Sequence, residues 1–298
     1  MKKQIIFLLV CSIFLSIVPI ASFSEENIQV TATFYPVYVL AENVLSGVPG
    51  VALSSMTPPS TGCLHDYQLL TSDMRMIGSS RALLINGAGM ESFLPDVQSQ
   101  FPDLTIIDCS QGVELLRDGD SGEEEHEHGE FNPHIWLSPK NAVQMVENLA
   151  AGLSALLPGS EELIRQNAKA YQERLLALDE KLSSAIAQLP KRDIVTFHEA
   201  FPYFAKAYDL NVVAVVALEP DEPVSPRMLR RVIQEIRDAG CPPLFSEPQY
   251  ESSALRSIAA ETGAPVFELD PLVTGDGALS AYEDTMLKNL SVLREALQ

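Results

Sequence analysis

Five histidines occur in the chain, and three of them stand alone: His65, His134 and His198. A neutral imidazole offers one ring nitrogen to a metal, and an ionised carboxylate offers oxygen. Three imidazoles and one carboxylate make a four-coordinate shell of the kind zinc prefers. The carboxylate here is Asp270, which is followed at once by Pro271. These four residues are far apart in sequence, and position is what groups them. His65 follows a loop after a predicted strand, and His134 sits between Pro133 and a turn before a helix. His198 and Asp270 each end a predicted strand. In open α/β sheets, ligands gather at the carboxyl ends of strands. His198-Glu199 begins like a zinc protease motif, but residue 202 is proline rather than histidine, so that motif fails. A full set of four protein ligands also leaves no open position for an activated water. The expected activity is therefore binding rather than catalysis. Imidazoles must be neutral to ligate, so zinc affinity is expected to fall steeply below about pH 6.

The elements that must position these groups alternate between short apolar runs and helical patterns. IQVTATF (28–34), VALSSM (51–56), ALLIN (82–86) and LTIID (104–108) read as strands, with helices through Tyr38, Leu40, Val44 and Leu45, and over 68–78 and 138–158. The alternation restarts with strands at 193–198, 210–218, 243–248 and 265–270, and helices at 200–209, 225–240, 252–262 and 280–297. Strand, helix, strand in repetition is the pattern of parallel sheets covered by helices, an α/β fold. Between the two halves, Ile164, Ala168, Tyr171, Leu175, Leu178, Leu182, Ala185 and Leu189 recur in steps of three and four. That spacing puts one apolar stripe on a long helix over 160–189, capped by Ser160 and stopped by Pro190. The domains expected are an N-terminal lobe at 25–159, the linking helix at 160–189 and a C-terminal lobe at 190–298. GDSGEEEHEHGEF (119–131) is too charged to bury and is expected to be a mobile loop. Its His126 and His128 form a possible low-affinity zinc site.

Residues 1–24 have the layout of a secretory signal peptide, with Lys2 and Lys3 before an apolar run and small residues after it. The mature chain is therefore expected to be exported. The absence of a lipid-accepting cysteine at the cleavage point favours a periplasm. The formal charge of −20 repels phosphate backbones and anionic lipid, which excludes nucleic-acid partners and favours cations. Of the cysteines outside the leader, Cys63 and Cys109 are the preferred disulfide pair, both falling just past strand ends.

In combination, HDYQLLTSD (65–73), INGAGMESFL (85–94), NPHIWLSP (132–139), TFHEAFPYFAKAYDL (196–210), FSEPQYESSALRSIAAETGAPVF (245–267) and LDPL (269–272) resemble the ZnuA/TroA-like solute-binding proteins of ABC uptake systems for zinc and manganese. The resemblance covers nearly all of the mature chain. It implies two lobes, each with a small parallel sheet flanked by helices, joined by one long backbone helix with metal in the cleft. It also implies His65, His134, His198 and Asp270 as ligands, Glu247 as a group beside the site, a membrane permease as partner, and a monomer. Manganese-handling members commonly have Glu at the third ligand position. His198 there makes the chain look like a zinc receptor, with manganese the lesser expectation. A manganese or iron receptor of the same family, an exported zinc hydrolase and a surface adhesin are the alternatives. Three departures stand out: Leu64 where the family usually has Pro, Gln68-Leu69 for Glu-Pro, and Asn132 for Asp.

Overall fold

The computed structural model describes residues 27–58, 60–64, 67–117, 130–217, 224–250 and 253–298. Residues 1–24, expected to be a signal peptide, and His65, His126 and His128 lie outside the described residues. β1 (Ile28–Ala32), β2 (Val51–Ser55), β3 (Ala82–Ile85) and β4 (Thr105–Asp108) form one parallel sheet in the order β2-β1-β3-β4. β5 (Asp193–Thr196), β6 (Asn211–Val215), β7 (Leu244–Ser246) and β8 (Val266–Glu268) form a second, in the order β6-β5-β7-β8. The second sheet repeats the strand order of the first, although no repeat is evident in the sequence. Each sheet has a switch point where the order reverses, between β1 and β3 and between β5 and β7. Ligand sites form at such places. β3 is buried along its whole length, as expected of an apolar run covered on both faces.

The helices are α1 (Tyr35–Leu45), α2 (Thr71–Ser79), α3 (Leu94–Gln100), α4 (Pro139–Leu156), α5 (Glu161–Ile186), α6 (Pro202–Tyr208), α7 (Pro226–Asp238), α8 (Ser253–Thr262) and α9 (Ala281–Ala296). Among the described residues no helix is long and apolar enough to cross a membrane. α5 is the long helix that joins the lobes. Its 26 residues make a rod of roughly 39 Å. Ile164, Ala168, Tyr171, Leu175, Leu178, Leu182 and Ala185 are all buried, and Ile186 joins them. The face packs against α1 and α4 of the first half and against α6 and α9 of the second. Burying the large side chains of this stripe contributes on the order of 10 kcal/mol before conformational entropy is charged against it.

The ends of α5 differ from the sequence reading. Ser160 makes no side-chain cap hydrogen bond, because it closes a 3₁₀ turn over Pro158–Ser160 that leads into the helix. Glu161 and Glu162 occupy the first turn, where the helix dipole favours negative charge. At the other end the helix gives way to tighter turns at Gln188 and Leu189 before Pro190 is reached. Its one buried polar residue, Asp179, accepts a hydrogen bond from Tyr208 Oη at 3.0 Å and lies 3.5 Å from Lys140 Nζ.

The two halves are tied together beyond α5. Trp136 Nε1 donates to Pro271 O at 2.8 Å, and Tyr282 Oη donates to Trp136 O at 2.7 Å. Asn132 Nδ2 donates to Glu199 O, and Tyr203 Oη to Asn132 O, both at 2.8 Å. Gly277 N donates to Tyr35 Oη at 3.2 Å. One apolar core runs from the first sheet through α4 and α5 to α6 and α9, with a smaller cluster beneath α7 and α8.

Candidate metal centre

The first half of the site rests on a buried carboxylate. Glu91 is buried beyond β3, and its oxygens accept from Thr33 Oγ1 at 2.7 Å, Asn86 N at 2.8 Å and Gly87 N at 3.1 Å. These bonds tie the carboxyl ends of β1 and β3 together at the switch point. Desolvation raises the Glu91 carboxyl to about 7, against the pull of those three donors. Asn86 Nδ2 then donates to Pro133 O at 2.9 Å, which fixes the turn that carries His134. Trp136 backs the same turn, its ring centroid 5.1 Å from that of His134.

Asn132 decides which nitrogen of His134 faces the cleft. Its Nδ2 is committed to Glu199 O, so its Oδ1 is the atom turned toward His134. That oxygen accepts from His134 N at 3.0 Å and stands 3.1 Å from His134 Nδ1. A carbonyl oxygen can only accept, so Nδ1 carries the hydrogen and Nε2 keeps its lone pair.

His198 is held in the same manner from the other sheet. It lies two residues past β5, and Glu247 lies just past β7, so the switch point of the second sheet brings them together. Glu247 Oε1 accepts from His198 N at 3.3 Å and from His198 Nδ1–H. Gln249 Nε2 donates to the other Glu247 oxygen at 3.1 Å. This carboxylate–histidine pairing fixes tautomer and ring orientation and makes the imidazole a better metal donor. His198 is wholly buried, and its Nε2 points at His134 Nε2 across 3.3 Å.

A third donor completes this group. Cys63 Sγ lies 3.6 Å from His134 Nε2 and 3.7 Å from His198 Nε2. Among the described residues, Cys63, His134 and His198 are the His, Cys, Asp or Glu side chains whose ligand atoms all gather within 4.8 Å. The expected Cys63–Cys109 disulfide does not form. Cys109 is fully buried directly after β4, while Cys63 is turned into the cleft. Gly62 makes that turn at φ +86°, and the space a side chain would need there is filled by Tyr250 Oη, 2.5 Å from an ideal Cβ.

Asp270 stands outside the trio. Its backbone is pinned by Asn289, which accepts from Asp270 N at 2.9 Å and donates to Asp270 O at 2.8 Å. Its Oδ1 accepts from Leu272 N at 2.8 Å. Burial raises its carboxyl above the usual value, and the nearby charges of Glu268 and Glu247 act in the same direction.

The family model for ZnuA, the periplasmic component A of a zinc-uptake complex, matches residues 30–296. The chain belongs to the ZnuA family. This is a family of metal-binding solute-binding proteins, not enzymes. The zinc-binding lipoprotein AdcA of Streptococcus pneumoniae is 28% identical over 310 residues, covering 99% of this chain and 61% of AdcA. This chain thus spans about three-fifths of the length of such ZnuA relatives. The iron-binding protein YfeA of Yersinia pestis is 29% identical over 283 residues, covering 90% of this chain and 88% of YfeA. Among solved structures, the solute-binding protein FpvC of Pseudomonas aeruginosa in complex with Mn2+ matches with a TM-score of 0.79 at 25% identity, over 91% of this chain and 98% of that one.

Proposed function

We propose that this chain is the zinc receptor of an ABC uptake system, taking Zn2+ into the cleft between its two lobes and handing it to a membrane permease. One observation carries the reading. The Nε2 atoms of His134, in the turn before α4, and His198, just past β5, come from different halves of the chain and face each other at 3.3 Å, while Asn132 and Glu247 hold both Nδ1–H groups. Two lone pairs so placed repel, and a cation between them removes the conflict. Imidazole nitrogen suits zinc better than it suits manganese. His65 and Asp270 join His134 and His198 as ligands in this reading, and Glu247 acts through His198.

The lobes are residues 25–159 and 190–298, with 160–189 linking them, and residues 1–24 are the signal peptide removed on export to the periplasm. The receptor works as a monomer, and His126 and His128 collect zinc weakly ahead of the cleft. α5 and the hydrogen bonds around Trp136, Asn132 and Tyr35 limit the lobes to small tilts. His198→Ala tests the reading: zinc binding by calorimetry should be lost or strongly weakened while circular dichroism stays native. Unchanged zinc affinity in a folded His198→Ala chain contradicts it. The name of YfeA as an iron-binding protein and the Mn2+ complex of FpvC support a second reading, an iron or manganese receptor. In that case the same titration would show tighter binding of those metals than of zinc.

A further inference from the structure

We propose that Cys63 ligates the metal through its thiolate, so that zinc is held by one sulfur together with the imidazoles of His134 and His198. The inference rests on the zinc-receptor reading and deepens it. Zinc binds histidine nitrogen at about 2.0–2.1 Å and cysteine sulfur at about 2.3 Å, usually with tetrahedral angles. Simple trigonometry on those lengths places two nitrogens about 3.3 Å apart, and nitrogen and sulfur about 3.6 Å apart. The structure has 3.3 Å between the two Nε2 atoms, and 3.6 and 3.7 Å from Cys63 Sγ to each of them. The three atoms therefore trace one face of a zinc tetrahedron. The fourth corner goes to one of the two other ligands proposed above, and Cys63 takes the place of the other in the four-coordinate shell.

The surroundings fit a built site rather than a chance approach. Both imidazoles already have their Nδ1 edges engaged, so it is the ligating edges that meet the sulfur. The turn at Gly62 and the Tyr250 ring pack the Cys63 segment against the second half, and the His198 and Tyr250 ring centroids lie 6.3 Å apart. On coordination the thiol proton passes to water, and the sulfur donates a lone pair to the metal with no change of oxidation state. A thiolate in the shell selects soft and borderline cations, and it discriminates against manganese beyond what imidazole alone provides.

Zinc-edge X-ray absorption of the tag-free mature protein loaded with one equivalent of zinc tests this. The expected spectrum contains one sulfur scatterer at about 2.3 Å beside nitrogen and oxygen. Cys63→Ser should lose that shell, and the Co2+-loaded form should lose its thiolate charge-transfer band, while Cys241→Ser keeps both. Zinc bound with only nitrogen and oxygen neighbours overturns the cysteine assignment and leaves the receptor reading standing. Failure of the unmodified chain to bind zinc at all overturns both.

Discussion

Replacing Glu247 isolates the group that orients His198. In Glu247→Gln the side chain keeps its size and an oxygen that can accept from His198 Nδ1–H, but the negative charge is gone. Glu247 and His198 are buried essentially completely, so no water can substitute for the lost charge. Partners of metal-ligating histidines typically contribute 10–100-fold in affinity. Glu247→Gln should sit near the lower end, about tenfold weaker in zinc binding, or roughly 1.4 kcal/mol. Glu247→Ala removes the acceptor for both the His198 N–H and its Nδ1–H, and should fall at the upper end, about 100-fold. The assay is a competition titration against a zinc-sensitive chelator dye, with thermal unfolding of the metal-free chains as a control for folding. If both variants fold and bind zinc as tightly as the parent, His198 is not held for ligation by Glu247 and the reasoning fails.

Asn132→Leu leaves two donors of His134 and the Glu199 carbonyl without their partner; zinc affinity should drop about 10–100-fold in the same titration. Leu175→Ala empties a fully buried position on α5 and should cost about 2–5 kcal/mol in denaturant unfolding, with zinc stoichiometry unchanged in the folded protein. Burial holds the Glu91 carboxyl at about 7 rather than 4.5, so between those pH values the folded chain keeps a proton that the unfolded chain has released. The stability from this group is complete below about pH 4.5 and is lost as pH rises through about 7, a change of roughly 3 kcal/mol. Glu91→Gln should flatten that part of the stability profile measured by chemical denaturation. X-ray scattering with and without zinc should show no resolvable compaction, because α5 and the hydrogen bonds between the halves restrict closure.

The parts of this molecule that follow periodicity were legible in the sequence. The stripe on α5 and the eight strands appear where alternation and three-four spacing place them, with strand ends shorter by one or more residues. Ser225 caps α7 as its position before Pro226 implies, accepting from Met228 N at 3.1 Å. Ser160 looks equally suitable, yet a preceding 3₁₀ turn removes the geometry a cap needs. α3 was missed because seven residues beginning Leu94-Pro95 carry too little periodicity to register. Position past strand ends pairs Cys63 with Cys109, but place along the chain says nothing about which way a side chain turns. The signals that could have corrected this were local: Gly62 immediately before it, and a Cys-x-His spacing to His65. The matching strand order of the two sheets, which puts Glu247 beside His198, was invisible because register depends on contacts between residues distant in sequence.

The proposed zinc site rests on two imidazoles that face each other between the lobes. Direct competition between zinc and manganese for the purified mature chain tests it, read as metal content after equilibrium dialysis. One zinc should be retained per chain, with manganese displaced even when manganese is in excess. Manganese retained in preference to zinc, or no metal retained at all, would contradict it.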